Sequence, residues 1–138
     1  MTSVVGAERI VPIHPFHAAM LAASAAVFLF ALLADWTYWN SYEIQWSNFA
    51  SWLLIGAMVM ASIALVFALV DLFRGRGGAV GTLVLVLAWL VGFFDALHHA
   101  RDAWAIMPTA LVLSVLVTLL AGVAAWIGFA TLRVGGVR

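Results

Sequence analysis

The chain has no cysteine, no lysine and only three prolines, and its six arginines balance six carboxylates, so that charged residues fill 9% of its 138 positions. Each scarcity excludes something. Without cysteine there is no disulfide, thiolate metal site, c-type haem attachment or thiol nucleophile, so any metal or haem ligand has to be His, Met, Asp, Glu or Tyr. Zero formal net charge and no basic run remove the electrostatic footprint of nucleic-acid binding. No phosphate-cradling Gly-rich loop, Ser-His-Asp arrangement or HExxH motif is present, and no enzyme activity is expected. A soluble domain carries roughly 25% charged residues. A chain that is 67% apolar is expected to have lipid as its main solvent.

What the chain does have is long uncharged runs. Crossing about 30 Å of hydrocarbon takes roughly 20 apolar residues in a helix, and four runs qualify: His17 to Ala34, Phe49 to Val70, Ala79 to Phe94 and Met107 to Leu132. Pro15 suits a first helical turn, Ser47 or Asn48 suits an N-cap, and Gly135-Gly136 follows Arg133 as a stop. Residues 1–16 carry Arg9 as their single base, and Asp35-Trp36 stands where a signal peptide would have a small-residue cleavage site, so the first helix is expected to be retained. The prediction is an all-α integral membrane protein, a four-helix antiparallel bundle forming one transmembrane domain over 1–138, with helices at about 15–36, 48–72, 79–100 and 108–132. Small residues predict the packing faces, because helices in lipid associate by close backbone approach: Ala18, Ala22 and Ala25; Ala57, Ala61, Ala64 and Ala68; Ala121, Ala125 and Gly128.

Orientation follows from the arginines, since short basic loops stay in the cytoplasm. Arg9, Arg74, Arg76, Arg133 and Arg138 fall on one side and Arg101 alone on the other, which predicts both termini inside; the expected location is a bacterial inner membrane. The opposite side collects Trp36, Tyr38, Trp39, Tyr42, Trp46 and Trp104. This is an aromatic belt at the membrane interface, or a face that docks a partner or stacks on a quinone-like ring.

Ionisable groups at membrane depth are costly and point to function. The end of the third helix reads Asp95-Ala96-Leu97-His98-His99-Ala100-Arg101-Asp102, in which Asp95 and His99, and His98 and Asp102, are i, i+4 pairs. Asp35 ends the parallel first helix at a similar depth. These residues can pair as a helix-end ion network with Arg101, or hold a divalent metal. They can also hold haem b, with Met107 or a second protomer's histidine as the other ligand, or handle a proton. At the other end His14, His17 and Asp71 form a second His-His-Asp grouping, unless His14 only caps its helix and Asp71 only pairs with Arg74.

The motifs Ile13-His14-Pro15-Phe16-His17, Asp35-Trp36, Phe49-Ala50-Ser51-Trp52 and His99-Ala100-Arg101-Asp102-Ala103-Trp104, in this order on four helices, resemble the DUF2231 family of predicted membrane proteins. The resemblance covers nearly the whole chain and matches His14, Asp35, His99, Arg101 and Asp102. It implies a four-helix membrane protein, some relatives of which accompany periplasmic oxidoreductases of the sugar-dehydrogenase type. The expected role is therefore an accessory or anchor subunit in the bilayer that presents its aromatic, ionisable outer face to a periplasmic oxidoreductase or membrane complex. The alternative is an electron-transfer protein holding haem b or a metal.

Overall fold

The computed structural model describes residues 12–135 of the protein, with side chains through residue 131; Arg9, Arg138 and the Arg133 side chain lie outside what is described. Four helices run α1 Pro15–Ser41, α2 Ile44–Phe73, α3 Ala79–His99 and α4 Thr109–Gly135, with one 3-10 turn at Ala103–Ala105 and no strand among the described residues. All four are long and apolar enough to cross a membrane. Each packs on its sequence neighbours and α4 closes back on α1, giving an up-down antiparallel bundle in which α1 and α3 stand diagonally.

The interior is built of small side chains and the exterior of large ones. Ala50, Ala57, Ala61 and Ala64 are at most 1% exposed, whereas Trp52, Val66, Leu119 and Trp126 are each at least 60% exposed. Water would penalise that arrangement, and lipid tails do not, because there packing depends on close backbone approach. The α2 and α4 faces contain the alanines and Gly128 expected of them. On α1, Ala18 is buried, Ala25 is half-buried and Ala22 is exposed; the buried stripe continues instead through Leu21, Ser24, Phe28, Ala31, Asp35 and Tyr38. At mid-bundle all four helices meet on Gly92, where a Cβ atom would come within 2.6 Å of Met58 Sδ and 3.3 Å of both Phe28 and Val117.

Helix boundaries differ from the sequence prediction at the charged and aromatic residues that flank the first connection. α1 runs through Asp35-Trp36 to Ser41, and α2 begins at Ile44, so only Tyr42 and Glu43 connect them. Tyr42 closes α1 in the left-handed region (φ 53°), with its N–H donating to the Tyr38 carbonyl at 2.7 Å. The segment Asp35–Trp46 is thus two helix ends and a tight turn. Asp35 is consequently six residues inside α1, about 9 Å along its axis from the last residue.

Candidate functional site

Asp35 lies on the buried stripe of α1 and Asp95 on that of α3, one turn before His99, and both carboxylates are fully buried. Helical spacing aims His99 back at Asp95, while the diagonal approach of α1 and α3 brings Asp35 to the other edge of the imidazole. His99 Nε2 lies 2.9 Å from Asp35 Oδ1. Its Nδ1 lies 3.0 Å from the Asp95 backbone carbonyl and 3.1 Å from Asp95 Oδ1. One N–H cannot serve both acceptors well. The hydrogen bond runs to the carbonyl, and Oδ1 is left buried without a hydrogen-bond partner. From α4, the Ser114 hydroxyl reaches both carboxylates, in a very short contact with Asp35 Oδ2 and at 3.0 Å from Asp95 Oδ2.

The protons that the cluster can hold decide what it can do. Nδ1 faces only acceptors, so it carries hydrogen. Between Nε2 and Asp35 sits one further proton, whichever of the two owns it. Ser114 has a single hydroxyl hydrogen for two carboxylate oxygens, so it donates to one carboxylate and can accept from the other only when that one is protonated. Without that last proton the cluster carries one net negative charge; with it, none. Both states fit the same heavy-atom positions. The ligand atoms of Asp35, Asp95 and His99 also lie within 4.8 Å of one another, close enough to share a divalent cation.

The other residues predicted for this site are engaged elsewhere. α3 ends at His99, so the i, i+4 relation of His98 with Asp102 does not form. His98 Nε2 bonds the Ile106 carbonyl at 2.9 Å, and the exposed Asp102 carboxylate accepts from the Trp104 N–H at 3.2 Å, capping the 3-10 turn. Met107 packs on the small core of Tyr38, Ile106 and Ala110. Arg101 is exposed. Ser114 was missed from sequence, since one serine in an apolar run carries no signal unless its register against α1 and α3 is known.

Of the six aromatic residues, Trp36, Trp39, Tyr42 and Trp104 are exposed, with Tyr42 and Trp104 stacked at 6.1 Å. Tyr38 does not belong to that face: it is fully buried and its hydroxyl donates to the Ala103 carbonyl at 2.9 Å. Trp46 is half-buried. At the opposite end His14, His17 and Asp71 line one cavity. His14 does cap α1, its Nδ1 accepting from the Phe16 N–H at 3.2 Å, and Asp71 pairs with Arg76, not Arg74, at 3.4 Å. The tight turn after α2, in which Gly75 adopts φ 67° and the Asp71 carbonyl accepts from the Arg76 and Gly77 N–H groups, folds Arg76 back over that carboxylate.

No curated protein and no solved structure matches the chain. The model of a predicted membrane protein family, DUF2231, matches residues 13–138, spanning every helix and both ends just described. The chain belongs to the DUF2231 family.

Proposed function

We propose that the protein is a non-catalytic membrane subunit whose working element is an exchangeable proton held by Asp35, Asp95, His99 and Ser114. The observation that carries this reading is one imidazole set between two fully buried carboxylates, hydrogen-bonded to Asp35 and 3.1 Å from Asp95 Oδ1, with a hydroxyl between their other oxygens. Ionisable groups in a span are costly and are retained chiefly for ion or proton handling. A network that accepts or releases one proton without moving its heavy atoms suits that task. The exposed Trp36, Trp39, Tyr42 and Trp104 around the same end supply a surface for a redox partner, and the arginine distribution favours placing it outside the cytoplasm.

The test is pH-difference infrared spectroscopy on the full chain in lipid. A protonated-carboxyl band should titrate in the wild type and be lost or displaced in Asp35→Asn and in Asp95→Asn. Absence of any titrating carboxyl band would refute the reading. A second reading, a divalent cation at the same three ligands, is favoured by the convergence of their donor atoms. Stoichiometric binding of zinc or manganese, abolished by His99→Gln, would establish it. Haem b has weaker support, because both nitrogens of His99 and Nε2 of His98 are committed inside the fold.

A further inference from the structure

The far end of the bundle contains a cavity of about 270 Å³ that all four helices line. Its mouth is formed by the exposed Pro12, His14, Arg76 and Gly78, and its depth by His17, Leu21, Thr82 and Leu85, which are buried. His17 is 4% exposed and neither ring nitrogen has a hydrogen-bond partner among the described residues. A buried polar group without a partner costs about 1–3 kcal/mol, and such groups in native structures call for an explanation. The ring is not free to turn away, since it stacks on Phe67 at 5.9 Å, the same phenyl that His14 stacks on at 6.0 Å.

The remaining polar groups define what would satisfy His17. Arg76 and Asp71 neutralise each other at the mouth. Thr82 and Thr131 spend their hydroxyl protons on the Gly78 and Gly128 carbonyls, at 3.1 and 2.7 Å. The cavity therefore offers a balanced Arg76–Asp71 pair and the His14 ring at its mouth, an apolar lining of Leu21, Ala68, Leu85, Ala124 and Ile127, and in its depth one imidazole with a donor and an acceptor to give. Ligand pockets are mostly apolar with a few convergent polar groups, and typical volumes start near 300 Å³, so the occupant is small.

We propose that this cavity binds the headgroup of a lipid-soluble quinone, a neutral ring whose carbonyl accepts a hydrogen bond from His17 and whose reduced hydroxyl donates one. A ring of that size fits the volume, the Arg76–Asp71 pair leaves the mouth without net charge to draw an ionic headgroup, and a hydrocarbon alone would leave His17 unsatisfied. This site is independent of the proton-holding cluster at the opposite end.

The experiment uses the full chain in lipid nanodiscs with ¹⁵N-labelled histidine. The probes are a short-tailed benzoquinone, its hydroquinone and inorganic phosphate. Saturable benzoquinone and hydroquinone binding should shift the His17 imidazole signals and leave those of His99 in place. His17→Phe should weaken binding about tenfold or more, the loss expected for one buried hydrogen bond, while His17→Gln keeps most of the affinity. Unsaturable partitioning of both quinone forms, equal affinity in His17→Phe, or displacement of the His17 signals by phosphate and not by quinone would each overturn the proposal.

Discussion

His99 on α3 and Asp35 on α1 are joined at 2.9 Å across the diagonal of the bundle, between helices that are not adjacent around its ring. The bond sits where the small core of Tyr38, Ile106 and Ala110 closes the end of the bundle, so the polar cluster helps to fix how α1, α3 and α4 are placed relative to one another. Removing Asp35 leaves the buried His99 Nε2 without its acceptor and takes one of the two acceptors from the Ser114 hydroxyl, at a cost of about 1–3 kcal/mol for each group left unpaired. Asp35→Ala should therefore lower thermal stability in detergent substantially. The combination Asp35→Ala, Asp95→Ala, His99→Leu should recover much of the loss. If the triple variant is no more stable than Asp35→Ala alone, the cluster is not the source of the penalty.

Ser114→Ala probes the same network with less disruption. The substitution removes the one hydroxyl among the described residues that touches both carboxylates, and it adds no volume. Leaving buried acceptors unpaired costs about 1–3 kcal/mol. The more telling readout is spectroscopic: the carboxyl band proposed for the Asp35–Asp95 pair should shift in frequency in Ser114→Ala and remain titratable. A band unchanged in position would show that Ser114 is a bystander.

Mid-bundle packing gives a prediction with an internal control. Gly92 has no room for a Cβ, with Met58, Phe28 and Val117 all in the way, whereas Gly122 on α4 has nothing within 4 Å. Gly92→Ala should destabilise by about 1–3 kcal/mol through overpacking. Gly122→Ala should be neutral or stabilising by up to about 1 kcal/mol, since alanine is the better helix former. Chemical denaturation of the two variants side by side checks the contrast.

Trp89 on α3 donates its indole N–H to the Ser62 hydroxyl of α2 at 2.8 Å and stacks on Phe93 at 5.5 Å. Interhelical hydrogen bonds in lipid are worth about 0.6 kcal/mol on average and up to about 1.7. Ser62→Ala should thus cost a modest amount and shift Trp89 fluorescence, measured with the other tryptophans replaced by phenylalanine. An unshifted spectrum would mean that the indole bonds elsewhere.

The sequence made the spans and the small-residue faces of α2 and α4 legible because lipid imposes a coarse rule, one apolar run per crossing, that needs no partner information. It failed at Asp35, where a carboxylate and a tryptophan looked like a helix end. The helix continues because Asp35 is satisfied by His99 and Ser114 from other helices, a tertiary fact invisible along the chain. The same limit separates His99 from His98. Adjacent histidines look equivalent in sequence, but α3 turns them about 100° apart, so one meets the diagonal carboxylate and the other the Ile106 carbonyl. His17 shows the reverse case: spacing along the chain groups it with His14 and Asp71, whereas only the cavity shows that its ring nitrogens have no hydrogen-bond partner among the described residues.

The absence of cysteine makes membrane orientation directly measurable, because any introduced thiol is the only one. Glu43 sits in the α1–α2 connection and Gly78 at the start of α3, at opposite ends of the bundle, and both are exposed. Arg74 and Arg76 adjoin Gly78, and short arginine-bearing loops are held in the cytoplasm. A membrane-impermeant maleimide added to intact cells should therefore label Glu43→Cys and spare Gly78→Cys until the membrane is permeabilised. Glu43→Cys keeps the α2 N-terminus intact, because the glutamate makes no side-chain cap there, and a Cβ at Gly78 meets nothing within 4 Å. The opposite labelling pattern would place the quinone-sized cavity outside and the proton-holding cluster inside. It would also reverse the side that the aromatic rim faces.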